Sequence, residues 1–271
     1  MNKLKIYCTT IKYLRIMDKF PSYIKPLGLG TEIYPNFWLT DKSEKNLSHL
    51  NKYIGELSGI FWIWKNKIHN MNKNDMIGNC HYRKIWLNKL HTKKQKFSYQ
   101  SLYNSLLSEK NKDLSDTDVF QIQPIKFKNK TLLEDFEDVH ESDMLFKSIS
   151  FLPLDLQNKF RSHLKGNIFF PLNMFISRTH LFEKYCEILF PWLNKCLEYC
   201  LEHNLCKDYN MRLPAFLAER FTSFWFSQFK NRKTLSYARL GNFYLSNSIN
   251  TFINPLKIPF TFRMYPTIHK Y

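Results

Sequence analysis

Residues 76–86 read MIGNCHYRKIW. Met76-Ile77-Gly78 opens as a short apolar run, the pattern of a strand buried in a central sheet. His81, Tyr82, Arg83 and Lys84 then arrive in one step, and Ile85-Trp86 return to apolar character. Rings and cations at the end of a strand make either a solvated edge or a site for an anion. α/β sheets bind ligands beyond the carboxyl ends of their strands, which favours the second.

The neighbouring segments supply the rest of such a sheet. Residues 3–9 (KLKIYCT) alternate and are rich in β-formers, so they read as an opening strand; 21–30 hold two prolines and two glycines and read as a loop. From Asn46 the period changes. Leu47, Leu50, Ile54, Leu57, Phe61 and Trp64 form one stripe of a helix of about 20 residues, with Asp41 or Ser43 to cap it. A Lys-rich connector (88–98), a helix near 99–110 and a strand at 118–124 follow, then short helices and loops over 129–165. Residues 167–177 read as a pair of strands. A long helix runs from Thr179 to about His203, bent at Pro191, another spans 212–229, and an irregular tail begins at Thr234. Strands alternating with helices predict an α/β protein. No linker divides the 271 residues, so one domain is expected.

Lys and Arg number 40 against 23 Asp and Glu, a net charge of +17. That balance suits a polyanionic partner: nucleic acid, an anionic membrane face or phosphorylated substrates. No segment approaches the ~20 apolar residues of a membrane span, and the first residues lack a signal-peptide core. Six cysteines without a signal fit reduced thiols, so a cytoplasmic setting is expected. With seven glycines the chain has no G-x-G-x-x-G, no P-loop and no G-x-S-x-G, which argues against Rossmann dinucleotide enzymes, P-loop NTPases and α/β-hydrolases.

Several clusters invite chemistry, each with a plainer reading beside it. Cys196, Cys200, His203 and Cys206 have zinc-ligand character, yet they fall on a core stripe with Leu189 and Leu193. Asp116-Thr117-Asp118 has the D-x-D form that holds a divalent metal against a diphosphate, but it precedes its strand. Glu134, Asp135, Glu137, Asp138, His140, Glu141 and Asp143 make an acidic cluster in a basic chain. It is either a solvated loop or a place where His140 or Asp143 orients sugar hydroxyls. Glu219 and Arg220 interrupt an apolar helix and need a partner or a function. In 56–66 packing accounts for Trp64 and the helix dipole for Lys65, while Glu56 and Asn66 are left over.

Taken as a series, these segments resemble a bacterial family, long filed as a domain of unknown function, found in gene clusters for capsular polysaccharide and lipopolysaccharide synthesis. DKSEKNLSHLNKYIGELSGIFWIWKN (41–66), IGNCHYRK (77–84), PLNMFIS (171–177) with FEKYCEILFPWL (182–193), and RLPAFLAERF (212–221) carry the likeness, which covers about residues 3–245 and leaves 246–271 as a tail. Two departures stand out: Thr10-Ile11-Lys12 replaces a His-Lys pair, and Lys84 replaces a second Arg.

The resemblance implies a GT-A-like glycosyltransferase domain, a mixed central sheet flanked by helices with a helical C-terminal half. It implies an inverting hexosyltransferase that uses a nucleoside-diphosphate sugar, a UDP-sugar first, with manganese or magnesium undecided. The acceptor would be a lipid-linked capsule or lipopolysaccharide intermediate at the anionic inner face of the plasma membrane. Glu219 would be the base; His81, Tyr82, Arg83, Lys84, Glu56, Lys65 and Arg220 would meet the donor diphosphate. His140, Asp143, Asn173 and Trp62 would hold sugar, and Asp116 and Asp118 are the candidates for a metal. The competing class is a basic non-enzymatic protein that binds nucleic acid or an anionic surface, although no nucleic-acid motif is present.

Overall fold

The computed structural model describes residues 3–88 and 99–239. The Lys-rich connector and the 246–271 tail thus fall outside the described residues, apart from Asn88.

The opening stretch forms strand β4 (Met76–His81), paired in parallel with β1 (Leu4–Thr10) and antiparallel with β9 (Phe175–Arg178). On one side β1 continues in parallel to β2 (Ile24–Gly28) and β3 (Leu39–Thr40). On the other, β9 pairs antiparallel with β6 (Val119–Ile122), and β6 is parallel to β10 (Arg232–Leu235). The order is therefore β10-β6-β9-β4-β1-β2-β3, a mixed sheet with β9 reversed at its centre.

Alternate residues of the strands enter two separate cores. Ile6, Cys8, Met76, Cys80 and Ile176 pack with Leu102 of helix α3 (Tyr99–Ser105) on one face. Tyr7, Ile77, Val119 and Phe175 pack on the other against the helical layer. That layer comprises α2 (Leu57–Asn66), α5 (Leu132–His140), α6 (Met144–Ser148), α7 (Leu154–Leu164), α8 (Thr179–Glu202) and α9 (Leu213–Ser227). Strands buried on both faces read as near-continuous apolar runs, as β4 does. Among the described residues no helix is long and apolar enough to cross a membrane.

Gly78 is the point of closest approach in the centre. A Cβ there would sit 2.5 Å from Ile176 Cγ1 and 2.9 Å from the Phe175 carbonyl oxygen on β9. Gly78→Ala is expected to cost about 1–3 kcal/mol, the usual penalty of overpacking. Equilibrium urea unfolding, with an unchanged denaturant slope, checks it.

The structure departs from the sequence reading in four places. Residues 21–30 contain β2, because Pro26 is tolerated where β3 reaches only Leu27 and Gly28. The expected 20-residue helix is broken: a 3₁₀ turn at Ser48–Leu50 and α1 (Asn51–Ile54) end at Gly55 (φ 55°), and α2 starts afresh. Neither Asp41 nor Ser43 caps it; Asp41 is buried and accepts from Ser58 Oγ at 2.6 Å. The strands at 167–177 do not pair with each other: β8 (Ile168–Phe169) pairs with β7 (Ile125–Lys126), and β9 joins the main sheet. The tail called irregular supplies β10 and β11 (Tyr237–Arg239).

Candidate active site

HYRK is a tight hairpin. β4 turns through Tyr82 and Arg83 into β5 (Lys84–Trp86), so His81 and Lys84 are directly opposed across the ladder. Opposed residues of an antiparallel pair present their side chains on one face. Arg83 is exposed at the turn, with its guanidinium 5.3 Å from the Tyr82 ring centre. β11 then adds to β5, placing Arg239 opposite Lys84 and Tyr237 opposite Trp86. The Lys84 ammonium is 5.8 Å from the Tyr237 ring centre. Sequence reasoning missed Tyr237 and Arg239: a three-residue strand gives too little alternation to read.

Two carboxylates answer these cations. The break at Gly55 sets Glu56 at the head of α2, where Glu56 Oε1 accepts from Asn173 Nδ2 at 2.8 Å. Asn173 is fully buried; its carbonyl accepts from Asn79 Nδ2, and Thr222 Oγ1 lies 2.9 Å from its Oδ1 and 2.6 Å from the Tyr185 hydroxyl. Glu219, on α9, takes a hydrogen bond from the backbone N–H of Leu172. Leu172 has φ 69°, a conformation a bulky L-residue adopts only where surrounding structure enforces it. The Pro171–Asn173 turn thus holds Glu219 through its backbone and Glu56 through a side chain.

Glu219, Lys84 and His81 titrate away from their usual ranges, in the direction their surroundings dictate. Burial, reinforced by the nearby Glu56 charge, raises the Glu219 carboxyl to about 7 against the pull of Arg220 and Lys84. Burial lowers Lys84 to about 8, with Arg239 and Arg83 pushing the same way and Glu219 and Glu56 opposing. His81 is lowered, chiefly by burial, and its Nε2 is enclosed with no hydrogen-bond partner. A buried polar atom left unsatisfied beside clustered, shifted acids and bases marks a candidate site.

Glu219 also borders a cavity of about 590 Å³. Phe127, Phe169, Tyr209, Phe216 and His140 supply rings to its wall. Arg220 stacks over Phe169 at 3.8 Å and pairs with Asp135 at 2.6 Å. Lys130 is 2.8 Å from the same carboxylate. His140 is buried, its Nδ1 2.9 Å from Asn210 Oδ1, and burial lowers its pKa.

Other candidates lie apart from this cluster. Arg220 pairs with Asp135 rather than with Glu219. Trp62 is 1% exposed and donates its indole N–H to the Ser43 carbonyl at 2.9 Å, so its ring packs in the core and cannot stack on a ligand. Lys65 is exposed and lies over the Trp64 ring at 3.2 Å, on the side of α2 that meets α8. Asp143 is exposed at the start of α6 and does not line the cavity.

Asp116 and Asp118 precede β6, which runs parallel to β4, so they sit at the end of the sheet opposite HYRK. Asp118 faces Arg178 there at 3.8 Å. They cannot serve a diphosphate held at HYRK. Cys196 and Cys200 are core residues and His203 is exposed, bonded to the Tyr199 carbonyl. Among the described residues no group of three or more His, Cys, Asp or Glu side chains could hold a metal.

The fold and sequence have known counterparts. This chain is similar to the apo structure of WbbM, a bifunctional glycosyltransferase, with a TM-score of 0.69 at 18% identity. The match covers 89% of this chain and 46% of that one, so the chain spans under half of WbbM's length. It agrees with the GT-A-like mixed sheet expected from the sequence. Among curated proteins none matches. The domain of unknown function DUF4422 matches residues 5–232, and the chain therefore belongs to that family.

Proposed function

We propose that this chain is an inverting glycosyltransferase that moves a hexose from a UDP-sugar to a hydroxyl of a lipid-linked capsule or lipopolysaccharide intermediate. The observation that carries the reading is the meeting of Glu219, titrating near 7, with His81, Lys84 and Arg83 at the carboxyl end of β4. A base poised near neutral pH is what deprotonation of a sugar hydroxyl needs. Fixed cations are what a departing diphosphate needs.

In the proposed reaction Glu219 takes the acceptor proton as the oxygen attacks the anomeric carbon from the face opposite the leaving group. The bond from that carbon to the diphosphate oxygen breaks, and its electron pair leaves with the diphosphate. Lys84 and Arg83 take up the charge, beside a neutral His81. Glu56, fixed by Asn173, keeps Lys84 charged and Glu219 high. Charge relief is assigned to these side chains. The net charge of +17 suits work at an anionic membrane face.

A melting-temperature screen against UDP-, GDP-, CMP- and dTDP-sugars, with and without manganese, tests the reading. A UDP-sugar should raise the melting temperature by several degrees and be hydrolysed slowly without acceptor. No shift and no hydrolysis with any donor would sink it.

A further inference from the structure

The cavity that Glu219 borders has the makings of a binding site of its own. Its volume falls in the range of small-molecule pockets and would take one or two sugar rings. Flat rings on several walls offer the apolar faces against which sugar C–H faces pack. Its ionisable lining is lopsided: Lys126, Lys128, Lys130 and Arg220 stand against Asp135 and Glu219.

Two of those cations are already committed. Lys130 is shared between Asp135 and Asp138, and Arg220 is held by Asp135 while stacked on Phe169. Lys126 and Lys128 are different. They alternate with Phe127 on the segment leaving β7, are exposed, and make no ion pair with any described residue. His140 adds no charge, since burial lowers its pKa against the opposing effect of its hydrogen bond to Asn210. The cavity therefore has an aromatic wall, a carboxyl at one end and two uncommitted ammonium groups.

Resting on the glycosyltransferase reading, we propose that this cavity is the acceptor subsite and that the acceptor carries an anionic group, phosphate or carboxylate, next to its reacting sugar. The reacting hydroxyl lies at Glu219, the ring packs against Phe127, Phe169 and Phe216, and the anion is bound by Lys126 and Lys128.

Calorimetric titration of the full chain with three probes tests this without turnover. The probes are octyl β-glucoside, octyl β-glucuronide and farnesyl-diphosphate-linked glucose. At least one anionic probe should bind about tenfold tighter than the neutral glucoside. Lys126→Glu with Lys128→Glu should abolish that margin. A control with the same change in net charge, Lys184→Glu with Lys195→Glu on the exposed face of α8, should preserve it. A gain confined to the diphosphate probe assigns the anion to a lipid carrier, and one confined to the glucuronide assigns it to the acceptor sugar. Equal binding of all three probes, or equal losses in both double variants, overturns the proposal. Sound binding without any transfer would sink the glycosyltransferase reading, whereas transfer without the anionic preference would sink the acceptor proposal alone.

Discussion

Glu219→Gln is expected to lower kcat by about 10²–10⁴-fold, the usual contribution of a general base, while leaving donor binding near the native value. Glutamine keeps the shape and can still meet the Leu172 N–H through its side-chain oxygen, so α9 and the Pro171–Asn173 turn should hold. What it loses is a proton acceptor. The pH profile separates this role from a structural one. In native protein Glu219 must be ionised to act, and with its pKa near 7 the kcat/KM should climb through that value. Lys84 must be protonated to receive the diphosphate, and with its pKa near 8 activity should decline above it. A bell with a narrow top between about 7 and 8 follows, reporting the free protein. In Glu219→Gln the acid limb should vanish and the alkaline limb persist. An unchanged acid limb would show that another group titrates there.

The centre of the sheet was legible because it is local. Met76-Ile77-Gly78 is apolar and short, HYRK follows only two residues later, and Glu219-Arg220 on a hydrophobic helix demanded a reason. The register that opposes His81 to Lys84 depends on where the turn falls, and composition does not state it. The break before Glu56 was hidden because the stripe Leu50, Ile54, Leu57 continues through it; Gly55 at positive φ, not periodicity, ends α1. The helical stripe put Trp64 in the core and left Trp62 for a sugar, but Trp62 is the buried one and Trp64 is half-buried against Phe190 and Lys65. Asp118 looked like half of a metal site because a three-residue pattern carries no direction, and the topology puts it at the wrong end of β6. Tyr237 and Arg239 are placed beside Lys84 by pairing with β5, a contact about 150 residues away along the chain that no local pattern encodes. The aromatic cavity draws on β7, β8, α5, the 3₁₀ turn at Asp208–Arg212 and α9, five segments with nothing in common until they are folded.

Lys84→Met is expected to reduce kcat/KM by about 10²–10³-fold, the effect of removing one fixed donor to a charged leaving group. The protein should nonetheless be at least as stable near neutral pH. Lys84 has a folded pKa near 8, below its ordinary 10.5, so the fold resists its protonation. That cost is fully present below pH 8 and disappears as pH rises towards 10.5. Methionine fills a similar volume with no charge to bury, so the variant should unfold at an equal or higher urea concentration at pH 7 and lose that pH dependence. Losing activity while keeping stability is the mark of a group placed for function rather than for the fold. A second consequence follows from Glu219, whose pKa is held down in part by the Lys84 charge. Without that charge the carboxyl should rise further, moving the acid limb of the residual activity above 7. Asp118→Ala provides the contrast: at the far end of the sheet, paired with Arg178, it should alter kcat/KM by less than about twofold, with or without manganese, as remote surface changes do. If Asp118→Ala abolishes activity and Lys84→Met spares it, the cationic site is wrong and the diphosphate binds elsewhere.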